Sequence, residues 1–148
     1  MRLALTVIAA AMAATISSAA AQSETEVRAA LETIYGAEQA DLFEDYFEVV
    51  VQGFAEHNLE LLTSLGSYPF EVAANGELYD IFRPEDFADN FDALLLSETI
   101  DAIADQHYAD LIVTDQGVGF AEGALWLGNV CGDDTCSTSD WLIIRITN

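Results

Sequence analysis

Two cysteines stand close together near the carboxyl end of the chain, in the stretch "VCGDDTCST" at positions 130–138. Such a pair can bind a metal, act as a redox couple or form a structural disulfide. Metal binding needs more soft ligands, and the two histidines, His57 and His107, are distant in sequence. Redox motifs usually have two intervening residues and a following helix, whereas strand-like segments flank this pair. We therefore predict a structural disulfide between Cys131 and Cys136, and no metal site.

A second set of residues has the types that proton-transfer enzymes use. His57 ends the apolar stripe of a predicted helix, where it can act as a general base or simply be favoured by the negative helix end. Asp115 can take a proton if it is desolvated, while a phenol holds the oxyanion. Aspartate and tyrosine near turns are also common without catalysis. The tyrosines open to this pairing are Tyr46, Tyr68 and Tyr79.

Other catalytic motifs are missing from the sequence. There is no serine elbow, no phosphate-binding glycine loop and no zinc helix motif, so hydrolysis through a nucleophile, nucleotide chemistry and metalloprotease action have no support. Two strand-like runs joined by Asn75-Gly76, a preferred hairpin dipeptide, place Glu71 opposite Asp80. Facing carboxylates can attract a weakly bound divalent ion, but in so acidic a chain chance exposure is the better explanation. We predict no cofactor.

The first 21 residues have the composition of an export signal. Arg2 precedes the apolar run "LALTVIAAAMAATI", and small residues follow at Ala19 and Ala21. The run is shorter than the roughly 18 to 20 residues that span a bilayer. We therefore predict a signal peptide over 1–21, a single domain over 22–148, and a periplasmic or secreted location with no membrane attachment after cleavage. The oxidising conditions there favour the disulfide.

The net charge of the chain limits the classes of partner that it can bind. The sequence has 26 Asp and Glu residues against 4 Lys and Arg, and its formal net charge is −22. Such a surface repels nucleic acid and anionic lipid, so neither is an expected partner. Adaptation to a salty medium, in which ions screen the self-repulsion, explains the charge without a specific function.

The order of predicted elements indicates an α+β fold. Capping signals and a 3.6-residue period predict helices in "SETEVRAALETIYG", in the segment around "FEDYFEVVVQGF", and in "NLELLTSLG". The Asn75-Gly76 hairpin follows, and then helices in "RPEDFADNFDALL" and "SETIDAIADQH". Four strand-like runs close the chain: "ADLIVTD", "GVGFA", "GALWLGNV" and "DWLIIRITN". We expect N-terminal helices packed on a curved antiparallel sheet.

This order of elements resembles the nuclear-transport-factor-2-like superfamily, the cystatin-like α+β cone. The resemblance extends from "FEDYFEVVVQGF" through "SYPFEV" and "PEDFADNF" to "GALWLGNV" and "WLIIRITN", and it is one of order and texture, without a diagnostic motif. It implies a conical fold with an apolar pocket between sheet and helices, often dimeric through the sheet. Members include isomerases, dehydratases, immunity proteins and binding modules, so the fold does not select a function.

If Cys131 and Cys136 face each other in the last hairpin, counting outward gives the register of its two strands. Trp126 then lies opposite Trp141, and both faces of the hairpin are largely apolar. A second subunit can cover the further face, or the tryptophans can form a pocket wall, or the pair can simply stabilise the sheet. The same count places Ala124 opposite Ile143, Leu125 opposite Leu142, and Glu122 opposite Arg145 as an anion-binding pair or a plain ion pair.

These observations give three hypotheses. The first is an exported, non-catalytic domain that binds a small apolar ligand or a protein partner, with a homodimer through the sheet as one form. The second is an isomerase or dehydratase with Asp115 or His57 as its base. The third is an immunity protein whose acidic surface meets a basic toxin. The candidate binding residues are Tyr68, Tyr79, Trp126, Trp141 and Arg145.

Overall fold

The computed structural model describes residues 22–148, so the predicted signal peptide over 1–21 lies outside the described residues. The helices are α1 Glu24–Tyr35, α2 Ala37–Ala55, α3 Leu59–Ser64, α4 Pro84–Leu94 and α5 Ser97–Ala104. The strands are β1 Gly66–Ala74, β2 Glu77–Ile81, β3 Ile112–Thr114, β4 Gly117–Phe120, β5 Leu125–Cys131 and β6 Ser139–Thr147, and short 3-10 turns occur at Tyr108–Asp110 and Ala121–Gly123. The predicted α+β class is confirmed.

Local capping signals set the first helices. Ser23 and Glu26 form the predicted capping box at the start of α1, each satisfying a backbone N–H of the other residue. Asn58 accepts a hydrogen bond from the backbone N–H of Leu61 and so caps α3 as predicted. The apolar stripe of α2 buries Phe43, Val50 and Phe54, which orients the helix toward the sheet.

The six strands form one sheet in the order β2-β1-β6-β5-β4-β3. Asn75 and Gly76 adopt φ of 55° and 78° in the tight turn between β1 and β2, which confirms the hairpin. The expectation of an antiparallel sheet is wrong in one pairing, because β1 runs parallel to β6 and the sheet is therefore mixed. This pairing joins strands that are far apart in sequence, so no local signal predicts it.

The predicted register of the last hairpin is also wrong. Cys131 pairs with Ser139, and the disulfide closes a loop beyond the end of the ladder. Trp141 therefore pairs with Asn129, which is three residues from Trp126 and hence on the opposite face of the sheet. A β-bulge in β6 adds a further offset and places Arg145 opposite Trp126.

The other predicted pairs of this hairpin change with the register. Leu125 pairs with Ile146 and Ile143 pairs with Leu127, so neither has the partner predicted for it. Glu122 lies outside the ladder, exposed in the 3-10 turn that precedes β5, and it does not face Arg145. The pairing of Glu71 with Asp80 in the first hairpin is confirmed.

Aromatic side chains fill the space between helices and sheet. Trp141 is fully buried, and its ring centroid lies 4.8 Å from that of Tyr35 and 4.9 Å from that of Phe43. Phe47 stacks on Phe120 of β4 at 5.7 Å between centroids. The largest of the fully buried side chains are Leu31, Phe43, Phe54, Leu62, Phe87, Phe91, Ile103, Leu111, Phe120, Leu125, Leu127 and Trp141. Among residues 22–148, no helix has the length and hydropathy to cross a membrane.

Candidate functional site

The loop between Cys131 and Cys136 is closed by a structural disulfide. Cys131 and Cys136 form a disulfide with 4.7 Å between their Cα atoms, as predicted. Inside the loop, the Asp133 carboxylate accepts hydrogen bonds from the backbone N–H of Thr135 at 2.8 Å and of Ser137 at 3.2 Å. The hydroxyls of Ser137 and Thr135 also donate to it, and these bonds hold the pKa of Asp133 well below its usual range. The loop is thus tied both covalently and by an ionised aspartate.

The structure does not bring the catalytic candidates together. His57 is exposed just beyond the end of α2 with φ of 50°, and its ring meets the edge of the core at Phe91, with 6.0 Å between centroids. Asp115 is exposed in the turn between β3 and β4. Neither side chain lies in an apolar pocket, so neither has the desolvation that a catalytic base of this kind requires.

The candidate tyrosines serve local contacts. The Tyr68 hydroxyl donates to the carbonyl of Thr63 at 2.8 Å, and burial raises the pKa of Tyr68 to about 12. The Tyr79 hydroxyl donates to the Glu77 carboxylate at 2.8 Å. The charge of Asp115 acts instead on the phenol of Tyr35. The sequence analysis did not propose this tyrosine.

Tyr35 and Tyr46 are also held by structural contacts. The Tyr35 hydroxyl donates to the carbonyl of Thr114 at 2.5 Å, and its pKa is raised first by burial and then by the charge of Asp115. The pKa of Tyr46 is likewise raised, first by burial and then by the charge of Asp140. Because the Tyr35 hydroxyl is committed to a backbone carbonyl, it is not free to hold an oxyanion.

The outer face of the sheet, opposite the helices, carries the most distinctive arrangement. One row of paired residues crosses all six strands on this face: Ile112, Gly119, Trp126, Arg145, Glu71 and Asp80. The guanidinium carbon of Arg145 lies 5.2 Å from the ring centroid of Trp126, within the range of a cation–π contact. The structure therefore joins two of the predicted binding residues, Trp126 and Arg145, and separates them from Trp141.

Glycines and a backbone hydrogen bond hold the Trp126 indole in place. Its N–H donates to the carbonyl of Gly123 at 2.9 Å. A Cβ added at Gly119 would lie 3.2 Å from the ring, which is tighter than ordinary contact. Gly119 is thus required for the close approach of the indole to β4, and the only sequence signal for it was a glycine inside a strand.

Arg145 differs from the other arginines of the described chain. Arg28 pairs with Glu32, Asp41 and Glu44, and Arg83 pairs with Asp86. Arg145 has no carboxylate within ion-pair distance among residues 22–148, although it is adjacent to Glu71 across the parallel β1–β6 pair. In a chain with 26 acidic residues, its guanidinium edge remains available for an external group.

Apolar side chains surround this pair. Leu142 and Ile144 of β6 are half-buried on the same face, and Ile144 lies over Gly128. Ile112 at one edge of the sheet is 39% exposed, and Leu78 at the other edge is 67% exposed.

In the part of the chain that the structure describes, no group of three or more potential ligands converges to hold a metal.

Comparisons with protein-family models, with curated proteins and with solved structures found no significant match. The function must therefore be argued from the geometry of this chain.

Proposed function

We propose that the protein is an exported, non-catalytic interaction domain that binds a second copy of the chain through the outer face of its sheet. The contact between Trp126 and Arg145 is the observation that carries the proposal. Tryptophan and arginine are the residue types most enriched among those that dominate binding energy at protein interfaces. Here both residues are held in position on one face of the sheet, among apolar neighbours. Acidic residues begin on the adjacent strand of the same face.

The interior supports this choice over a small apolar ligand in the cone. The aromatic cluster of Phe43, Phe120 and Trp141 occupies the space that a pocket between helices and sheet would need. A ligand there would have to displace side chains packed at interior density. The isomerase alternative gains no support from the exposed positions of His57 and Asp115.

Charge along the row favours a second copy as the occupant. Arg145 carries the positive charge, and Glu71 and Asp80 on the next two strands carry the negative charges. A twofold axis that lies in the face between β1 and β6 brings Arg145 of each copy to Glu71 of the other, as an isologous interface requires. Export rests on the predicted signal peptide and is consistent with the disulfide. The cone superfamily remains a resemblance.

Sedimentation velocity at two salt concentrations tests the proposal. Net charge of −22 per chain opposes association at long range, and the screening length falls from about 10 Å at 0.1 M salt to about 3 Å at 1 M. We therefore expect the dimer fraction to rise with salt. A protein that stays monomeric at every salt concentration and at high protein concentration would show that the proposal is wrong.

Charge-reversal variants locate the interface. Arg145→Glu should abolish the dimer, whereas Arg83→Glu, which makes the same charge change just before α4, should leave it intact. Glu71→Arg should also weaken the dimer. The double variant Glu71→Arg with Arg145→Glu should restore it, because each copy again presents opposite charges to the other. A dimer that survives Arg145→Glu but dissociates in Arg83→Glu would place the interface elsewhere.

A further inference from the structure

The strand β2 forms an edge of the sheet with unpaired backbone groups. It is the first strand in the order of the sheet, so β1 is its one neighbour among the described strands. In an antiparallel pair, residues that exchange hydrogen bonds alternate with residues that do not. Ala73 and Leu78 form a pair of the second kind, because the carbonyl of Ala73 faces away from β2 and accepts a hydrogen bond from the N–H of Asn148 at 2.9 Å. Leu78 and, two residues further on, Asp80 therefore direct their N–H and C=O groups to the open edge, where they offer two donors and two acceptors.

The opposite edge of the sheet is less open. Its strand, β3, has three residues, and the Tyr35 hydroxyl of α1 donates to the carbonyl of Thr114 there. Native sheets commonly protect their edges with very short strands, prolines, lysines or a covering segment. β2 has five residues without proline or lysine, and within residues 22–148 no backbone hydrogen bond joins Leu78 or Asp80 to a turn or loop. The edge of β2 is therefore the better place for a further strand to pair.

Apolar surface borders this edge. Leu78 is 67% exposed and Phe82, directly after β2, is 63% exposed, and these are the two most exposed large apolar side chains of residues 22–148. On the helix side of the sheet, a groove with a volume of about 420 Å³ lies between β2 and α4, where Tyr79, Ile81 and Leu94 are among its lining residues. Side chains of a strand point alternately to the two faces of a sheet. A strand paired with β2 would therefore place one set of side chains beside Leu78 and the other set in the groove.

The charges at this edge favour a basic partner over a second copy of the chain. Glu77 and Asp80 form no ion pair with any of residues 22–148, and Arg83, which follows β2 closely, is bound by Asp86. Asp80 also lies opposite Glu71, and carboxylates that face each other across a ladder repel. A positive group beside Asp80 would relieve that repulsion. Pairing of β2 with β2 of another copy would instead bring Glu77 and Asp80 of both chains into one ladder.

We infer that β2 pairs with an extended peptide segment of a partner protein, in which apolar residues flank a basic one. The segment would add a strand antiparallel to β2, which is the more stable of the two strand orientations. Its basic residue would lie opposite Asp80 and exchange backbone hydrogen bonds with it, while the apolar residues next to it would point into the groove beside α4. Main-chain hydrogen bonds would supply affinity, and the side chains would supply specificity. This inference does not depend on the dimer through the outer face.

An NMR titration of backbone amides with a designed peptide tests this edge. The probe is a peptide of seven residues, blocked at both ends, with lysine at its centre, valine at the odd-numbered positions and threonine at the other two. It is added at low salt to the Arg145→Glu chain, which should not form the outer-face dimer, so the result is independent of that proposal. We expect the amide signals of Leu78 and Asp80 to shift in a saturable way and their hydrogen exchange to slow at least about tenfold at saturation. If neither amide responds, the inference is wrong.

N-methylated peptides separate strand pairing from general attraction to an acidic surface. A methyl group on the backbone nitrogen of the central lysine removes the N–H that faces β2, and it should weaken binding at least about tenfold. The same group on the neighbouring valine removes an N–H that faces solvent, and it should change the affinity by less than about twofold. Equal losses from the two methyl groups would contradict the addition of a strand.

Charge exchange tests the position of the basic residue. A peptide with glutamate in place of lysine should bind about tenfold more weakly, and Asp80→Lys should reverse this preference. Glu48→Lys, which makes the same charge change at an exposed position of α2, is the matched control and should keep the preference for lysine. A preference for lysine that survives Asp80→Lys would contradict the assignment. Shifts of the Leu78 and Asp80 amides when the Arg145→Glu chain is concentrated without peptide would show that a second copy occupies the edge instead.

Discussion

The two tryptophans lie on neighbouring strands of one hairpin and have opposite environments. Trp141 is fully buried, its indole N–H donates to the carbonyl of Gln39 at 3.1 Å, and aromatic rings meet it edge-on. Trp126 is half-buried on the outer face, with Arg145 across its ring. The same residue type therefore supplies core packing on one face and belongs to the proposed recognition surface on the other.

The hydrogen bond of the indole N–H does not explain why the two tryptophans have different environments. Both N–H groups have a backbone carbonyl as partner. What differs is the group that covers the ring, since Phe43 of helix α2 packs on Trp141, whereas Arg145 of the sheet itself lies over Trp126. An aromatic ring that is fixed in position but left partly open is pre-organised for binding, because little conformational entropy is lost when a partner covers it.

The largest expected effect in this comparison is on folding. Trp141→Ala removes the largest fully buried side chain of the described core and should lower the free energy of unfolding by about 3–5 kcal/mol. Trp126→Ala should cost less, about 1–2 kcal/mol in the monomer, because the ring is only partly buried and loses its packing on Gly119 together with the cation–π contact. Urea unfolding in low salt, followed by circular dichroism, measures both values. Equal losses in the two variants would break the distinction between the faces.

The disulfide gives the next largest effect. Replacing Cys131 and Cys136 together by serine should lower the free energy of unfolding by about 2 kcal/mol, as loop-closure entropy predicts for cysteines separated by 5 positions. Cys131 forms the last pair of the ladder and Cys136 lies in the loop, so the bond does not join two paired residues and the β5–β6 register should persist. Near-ultraviolet circular dichroism should therefore keep the signals of both indoles. A collapsed signal in the folded variant would mean that the disulfide does set the register.

The two hairpins of the sheet show how much of the fold the sequence could predict. The first hairpin has an Asn75-Gly76 turn, whose geometry fixes the pairing on both sides, so the register of Glu71 with Asp80 followed correctly. The last hairpin has no such dipeptide. Its cysteines were a natural reference point, but Cys136 lies in the loop with φ of 54° and outside the ladder. A change of register by an odd number of residues places every side chain of a strand on the opposite face of the sheet. Trp141 therefore lies in the core and not beside Trp126, as the predicted register had it.

The candidate site was predictable only in its residue types. Trp126 and Arg145 were both binding candidates, yet their contact depends on the β-bulge in β6 and on the absence of a side chain at Gly119. Neither feature has a local sequence signature beyond the glycine itself. The parallel β1–β6 pairing, which places Glu71 beside Arg145, joins strands that are far apart in sequence. The caps of α1 and α3, in contrast, depend on neighbouring residues and were predicted correctly.

A smaller effect follows from filling the space beneath Trp126. In Gly119→Ala the new Cβ would lie 3.2 Å from the ring, so the indole must move by a few tenths of an ångström. We expect a loss of about 1 kcal/mol or less in monomer stability, since the ring is half-exposed and can move outward. The fluorescence of Trp126 should change while that of Trp141 should not, and single-tryptophan backgrounds resolve the two. Weaker dimer formation in this variant would link the position of the ring to binding.

The smallest expected effect concerns the loop that joins the two tryptophan strands. Hydrogen bonds from Ser137 and Thr135 lower the pKa of Asp133 in the folded state, so the ionised carboxylate stabilises the fold above its unfolded pKa of about 4, and this stabilisation is lost as the pH falls through the folded pKa. Asp133→Asn should therefore melt below the wild type near neutral pH, and the difference should shrink under strongly acidic conditions. General repulsion among the other carboxylates affects both proteins and cancels in the difference. A gap in melting temperature that stays constant with pH would show that the charge of Asp133 does not stabilise the loop.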